Sequence, residues 1–252
     1  MSDRPCALVT HAAGYAGPPA VAALLEAGFQ VFAHDGGFAD DETWARYRAG
    51  RPHLEPVVAA EPEEVVADTL RRAPGLQVIV SNDHFPAVAH RPDTAPAAAL
   101  QDNLARLVEW PFRLIQTALP HLRARGDANI VVITSNRTRL PLSGGAFPDA
   151  ARAAANAMVR SLAVDCAADG IVVNALAPNF LYSEAYYPRA LFRESGEGRA
   201  YVRQNVPVGR LAEPEEIGEV IAFLATVRTR FLTGAVIDFS GGWPFGPARP
   251  VP

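Results

Sequence analysis

The sequence predicts an α/β fold, a doubly wound parallel sheet of seven strands with helices on both faces. Two observations carry this expectation. Short apolar runs rich in Val and Ile alternate with longer helical patterns almost from end to end. The length, 252 residues with 49% hydrophobic, suffices for one full core and not for two ordinary domains of this alternating kind, so residues 1–252 are expected to form a single domain.

The first strand is CALVT (6–10); it breaks into a glycine-containing turn, and AVAALLEAG then continues with helical spacing to a glycine stop. FQVFAHD (29–35) is the second strand, a polar helix covers about 40–50, and LEPVVA (54–59) is the third strand. EPEEVVADTLRRAP (61–74) has proline in its first turn, acids at its N-terminal end and arginines at its C-terminal end, the order the helix dipole favours. LQVIVSND (76–83) is the fourth strand. From about 98 to 125 apolar positions recur three and four apart, which predicts a long amphipathic helix bent near Pro111. NIVVITS (129–135) is the fifth strand, an Ala-rich helix runs from about residue 148 to a stop at Gly170, and IVVNALAPN (171–179) is the sixth strand. EPEEIGEVIAFLAT (213–226) is another proline-started helix and AVIDFSGGW (235–243) the last strand. Right-handed crossovers between these strands give a three-layer, Rossmann-like architecture.

The composition removes several function classes. A net charge of −4 and a pI of about 5.9 leave no electrostatic footprint for nucleic acid or an anionic membrane. No apolar run approaches about 18 residues and no signal-type N-terminus is present, so a soluble, cytoplasmic protein is expected. Cys6 and Cys166 read as small core residues, and His11, His34, His53, His84, His90 and His121 lack ligand spacing, so no metal is expected. All 23 basic residues are arginine. A Schiff-base lysine, a lysine general base and a lysine that lowers the pKa of a tyrosine are therefore excluded.

The first turn speaks against a dinucleotide. A pyrophosphate wants a glycine-rich turn whose backbone N–H groups face it at a helix N-terminus. In THAAGYAGPPA, Gly14 and Gly17 are present, but Tyr15 stands between them, and Pro18 and Pro19 cannot donate. Asp35, ending the second strand, stands where a ribose-binding acid would, and equally where a helix cap or solvated loop residue would. No cofactor is expected.

The chemistry is expected in SNRTRLPLSGGAFPDAAR (135–152), between the fifth strand and the following helix, where Ser135 and Arg152 would both face the crevice of an open parallel sheet. With the first turn (Thr10, four residues, Tyr15, one residue, Gly17), SNDHF (81–85), PNFL (178–181) and SEAYYP (183–188), the chain resembles the halohydrin dehalogenases of the short-chain dehydrogenase/reductase superfamily. The family's second signature is Ser, twelve residues, Tyr, three residues, Arg. Ser135 and Arg152 fit it, and the tyrosine position is Pro148.

The resemblance implies a cofactor-independent lyase that interconverts vicinal haloalcohols and epoxides, and a homotetramer or homodimer built on the helices around 98–125 and 148–167, with Trp243, Pro244 and Phe245 near another interface. In that family the serine holds the substrate oxygen, and the tyrosine, its pKa lowered by the arginine, takes the alcohol proton while the oxygen displaces halide. The halide leaves into a nest that the resemblance assigns to Tyr15, Pro178, Asn179, Phe180, Leu181 and Tyr187. Loss of the base would cost about 10²–10⁴-fold in rate unless replaced. Asp149, three residues before Arg152 and so on the same helix face, is the candidate substitute, and its alternative role is to favour the helix dipole. Arg137 and Arg139 would receive an anionic substrate group or sit in a solvated loop, Phe85 and Tyr186 would wall the pocket, and 180–212 would form an irregular substrate or lid loop. Two other classes stand beside this one: a non-catalytic homologue that binds a small ligand or anion, and an NAD(P) oxidoreductase, which the missing tyrosine and lysine disfavour.

Overall fold

The computed structural model describes residues 4–246; the outermost residues of the expected single domain lie outside them. Strands β1 (Cys6–Val9), β2 (Gln30–His34), β3 (Leu54–Val57), β4 (Leu76–Ser81), β5 (Asn129–Ile133), β6 (Val172–Pro178) and β7 (Val236–Phe239) form one parallel sheet. Their order is β3-β2-β1-β4-β5-β6-β7. The winding reverses between β1 and β4, which opens a crevice beyond the C-terminal ends of the central strands. The helices are α1 (Gly17–Glu26), α2 (Asp41–Arg48), α3 (Pro62–Arg72), α4 (Ala97–Leu104), α5 (Trp110–Arg125), α6 (Ala146–Cys166), α7 (Gly196–Asn205) and α8 (Pro214–Thr226).

Alternation along each strand divides the core into two layers. Leu8, Ile79, Ile130 and Val173 pack on one face against Leu114 and Ile115 of α5 and Val159 of α6. Val9, Val80, Val131 and Ile133 pack on the other against Leu24 of α1 and Ile217 and Ile221 of α8. At the α1–α8 contact a Cβ on Gly218 would lie 2.9 Å from the Pro19 carbonyl, so a larger residue there would push the helices apart.

Two elements depart from expectation. The helix expected over 98–125 with a bend near Pro111 is interrupted just before that proline by a π turn, Ala105–Glu109, which separates α4 from α5. Pro111 supplies no N–H, and its ring would clash with the carbonyl four residues back, so the ladder widens just before it. The stretch after β6 is not irregular throughout. It contains a π turn, Ala190–Glu194, and then α7, whose N-cap Ser195 accepts from Gly198 N–H at 3.3 Å. Apolar periodicity does not announce α7, since it buries only Gly198 and Val202. Val202 joins Phe180, Val206, Leu211 and Trp243 in a small third core that roofs the crevice.

Candidate active site

A cavity of about 580 Å³ lies beyond the ends of β5 and β6. Ser135, Arg152 and Pro148 wall one side of it, and Tyr15, Phe85 and Tyr186 another. Pro178, Asn179, Phe180, Leu181 and Tyr187 complete it, with Arg137 on its rim.

Ser135 is held at three points. Its Oγ donates to the Pro178 carbonyl at 3.3 Å and accepts from Arg137 N–H at 3.2 Å, while Asn156 Nδ2 donates to its carbonyl at 3.0 Å. The hydroxyl thus bridges the end of β5 to the end of β6. Arg152 is only 6% exposed. It donates to the carbonyls of Asp83 at 3.1 Å and Ile133 at 3.4 Å, and Nη2 reaches the Tyr186 hydroxyl at 3.5 Å. Among the described residues no carboxylate lies within ion-pairing distance of it. A buried cation held by neutral dipoles alone favours an anion beside it.

Pro148 brings no ionisable group to the wall. Asp149, expected to face Arg152, instead forms an ion pair with Arg137 and does not line the cavity. The (i, i+3) spacing is correct, but the loop leading into α6 carries Arg137 to the carboxylate first. Arg137, expected either as an anion receptor or as a solvated loop residue, is thereby paired with Asp149. Arg139 is likewise paired, with Asp238 at 2.7 Å, and faces a separate polar cleft beside Ser240.

The expected anion nest is built on strained backbone. Tyr15 and Phe180 both adopt left-handed conformations, at φ +52° and +55°. Such angles are costly for bulky residues and persist only where the surroundings impose them, which concentrates them at functional sites. Asn179 Oδ1 accepts from Phe180 N–H at 2.9 Å and from the Tyr187 hydroxyl at 2.6 Å, holding the Phe180 backbone and the Tyr187 ring. Burial pushes the Tyr15 and Tyr187 phenols well above their ordinary pKa, so both remain neutral O–H groups.

The residues at the first turn do not fit a dinucleotide. Asn82 Nδ2 donates to the carbonyls of His11 and Gly14 at 2.9 and 3.0 Å, and Thr10 Oγ1 accepts from Asn82 N–H at 2.9 Å, so the SND segment clamps the turn shut. His84 sits directly on Gly14, its Nε2 3.0 Å from where a Cβ would stand. The Tyr15 ring packs edge-on to Tyr186 at 4.9 Å between centroids. Pro18 and Pro19 open α1 without N–H groups. Asp35 proves to be a cap: it accepts from Gly37 N–H at 2.9 Å and Ala13 N–H at 3.2 Å.

Several residues that sequence reasoning did not place in the site are there. Trp243, expected near a subunit interface, stands edge-on to Phe180 in the cavity wall at 5.9 Å. Tyr201 of α7 and Leu107 of the π turn also contribute. Thr134, whose buried hydroxyl has no partner, sits beside Ser135 and was legible only as the other hydroxyl of NIVVITS. Behind the wall, Ser81 Oγ donates to Asp83 at 2.5 Å, and His11 Nε2 lies 3.5 Å from the same carboxylate. His34 stacks on Trp110, and burial holds it down to about pKa 4. Among the described residues no cluster has the makings of a metal site, and no helix is long and apolar enough to cross a membrane.

Comparison with known proteins places this architecture. Residues 20–244 match a family described as enoyl-(acyl carrier protein) reductase. The curated cis-4-hydroxycyclohexanecarboxylate dehydrogenase of Sinomonas cyclohexanicum is 32% identical over 94% of this chain and 95% of its own length. Matches to curated tropinone reductase homologs of Arabidopsis thaliana span only about half of those proteins. Among solved structures, a halohydrin dehalogenase bound to ethyl (2S)-oxiran-2-ylacetate has TM-score 0.92 and 30% identity, covering 98% of this chain and 100% of that one. A structure described as a dehalogenation enzyme has TM-score 0.91 and 32% identity, covering 95% and 98%. The chain belongs to the short-chain dehydrogenase/reductase superfamily, in the family described as enoyl-(acyl carrier protein) reductase.

Proposed function

We propose that this chain is a cofactor-independent lyase of the halohydrin dehalogenase type, interconverting small vicinal haloalcohols and epoxides. One observation carries the reading: a serine hydroxyl, a buried arginine with no acid partner among the described residues and two strained aromatic residues surround one cavity, while the dinucleotide turn is clamped and covered. In this reading Ser135 holds the substrate oxygen, and Arg152 supplies the positive field in which that oxygen becomes negative. The departing halide is received at Tyr15 and 178–181, where the neutral Tyr15 hydroxyl and the edges of the aromatic rings stabilise an anion. Charge is thus met at both ends of the displacement. The apolar walls from Phe85, Phe180, Leu181 and Trp243 suit a small, weakly polar substrate.

A second reading keeps the pocket and drops the turnover: a homologue that binds a small ligand or anion. Pro148 and the Asp149–Arg137 pair favour it, because they remove two groups that could take a proton. The curated relatives named as dehydrogenases favour an oxidoreductase instead, and the covered first turn speaks against that. A crystal grown in bromide tests the nest directly, through the anomalous signal of the ion. The reading expects bromide against Tyr15, Phe180 and Leu181, and NADPH titration without saturation. NADPH bound along the first turn, with no bromide in the nest, would overturn it.

A further inference from the structure

We infer that Tyr186, carried into the site by the loop after β6, is the group that accepts the alcohol proton; this rests on the lyase reading above. The cavity lacks any other group suited to the task. Tyr15 and Tyr187 are held neutral by burial, and Tyr187 also donates its proton to Asn179. Tyr201 and Glu197 lie on exposed positions of α7 and make no hydrogen bond to the arginine. Asp149 is bound to Arg137 outside the lining, and position 148 is a proline. Of the cavity's phenols only Tyr186 touches the Arg152 guanidinium, at 3.5 Å.

The environment of the Tyr186 oxygen is that of a group built to change charge. It accepts from Phe85 N–H at 3.1 Å and faces Arg152 Nη2, so two donors await a phenolate. In the resting protein its hydroxyl donates to the Phe85 carbonyl at 2.8 Å. The substrate hydroxyl then takes that carbonyl's place beside it. Ionising Tyr186 would also turn Arg152 from an unpaired buried cation into half of an ion pair, which offsets the desolvation each would otherwise suffer.

The step balances. The Tyr186 phenolate takes the proton of the haloalcohol; the alkoxide oxygen forms a bond to the neighbouring carbon as the carbon–halogen bond breaks, and its electron pair leaves with the halide. The phenolate forms by loss of the phenol's proton to water as the substrate hydroxyl displaces the Phe85 carbonyl, and the step itself restores the phenol, so one haloalcohol gives one epoxide, one halide and one proton. The placement also accounts for Pro148, since a phenol delivered from the opposite side of the cavity leaves the helix position free.

Halide release from vicinal bromoalcohols by the purified full chain and its Tyr186→Phe variant, from mildly acidic to alkaline pH, tests the inference. Tyr186→Phe removes one oxygen and keeps the ring against Tyr15, so the fold should survive; circular dichroism checks this. The expected result is a fall in kcat of about 10²–10⁴-fold with little change in KM, and loss of the rise in rate with pH. Adding Pro148→Tyr to that variant, which returns a phenol within one turn of Arg152, should restore part of the rate. Wild-type rate and an unchanged pH profile in Tyr186→Phe would overturn the assignment and leave the lyase reading standing. Silence of both proteins would overturn the two together.

Discussion

Arg152 Nη2 and the Tyr186 hydroxyl lie 3.5 Å apart although 34 residues separate them in the chain. Arg152 comes from the buried face of α6 and Tyr186 from the loop after β6, and both line the cavity together with Ser135. The helix supplies the charge and the loop supplies the hydroxyl that meets it.

Arg152→Met should abolish turnover, because no other cation replaces the buried guanidinium. It also leaves the Asp83 and Ile133 carbonyls without their donor, costing about 1–3 kcal/mol of stability. Denaturant unfolding beside the halide assay separates the two effects. An active Arg152→Met enzyme would show that the field at the substrate oxygen comes from elsewhere.

Ser135→Ala should lower kcat/KM by about 10²–10³-fold, the usual effect of losing one donor to a developing oxyanion. Stability should fall by about 1 kcal/mol, since the hydroxyl bridges Pro178 and Arg137. If the rate holds, the buried Thr134 hydroxyl beside it becomes the alternative anchor for the substrate.

Asp149→Asn is expected to lower the melting temperature and leave the pH profile of turnover in place. The carboxylate holds Arg137, and its loss frees a cation at the cavity rim. Binding of small carboxylates, followed by calorimetry, should therefore tighten. A variant that loses the alkaline rise in rate would return Asp149 to the role of base.

His34 makes stability pH-dependent. Its pKa is lowered to about 4 by burial first and by His11 second, against an ordinary value of 6.5. The folded state thus disfavours the protonated imidazole. Full stability is present above about pH 6.5, and it is lost as pH falls through the window down to about 4. The total is on the order of 3 kcal/mol. Thermal melts across that window should show the decline, and His34→Phe should flatten it.

Gly198→Ala should disturb the roof of the site. A Cβ there would stand 1.8 Å from the Leu191 carbonyl, so α7 must shift off the π turn, at a cost of about 1–3 kcal/mol. The expected kinetic signature is a raised KM, since Tyr201 and the Val202 cluster move with the helix.

Most of the scaffold was legible in the sequence because strand burial and helix spacing are local signals. CALVT, LQVIVSND and NIVVITS read as strands and hold the strands Cys6–Val9, Leu76–Ser81 and Asn129–Ile133, each ending one or two residues early, and the first-turn tyrosine and PNFL both line one cavity. What sequence did not show was set by contacts between distant residues. Asp149 was assigned to Arg152 on helix spacing, and the loop carrying Arg137 intercepts it. Trp243 was placed near an interface by the family resemblance alone, and nothing local in the sequence ties it to Phe180, against which it packs. Tyr186 could be placed in the pocket but not beside Arg152, since the clasp on Phe85 spans 101 residues. The helix α7 was hidden by its two glycines, although Ser195 three residues before Gly198 was a usable N-cap signal.

The most direct measurement is halide release from vicinal chloro- and bromoalcohols by purified, extensively dialysed protein with no nicotinamide added. The account predicts stoichiometric epoxide and halide, a rate that rises with pH, and no change when NADPH is supplied. Absence of halide release, together with NADPH-dependent reduction of a carbonyl substrate, would contradict it.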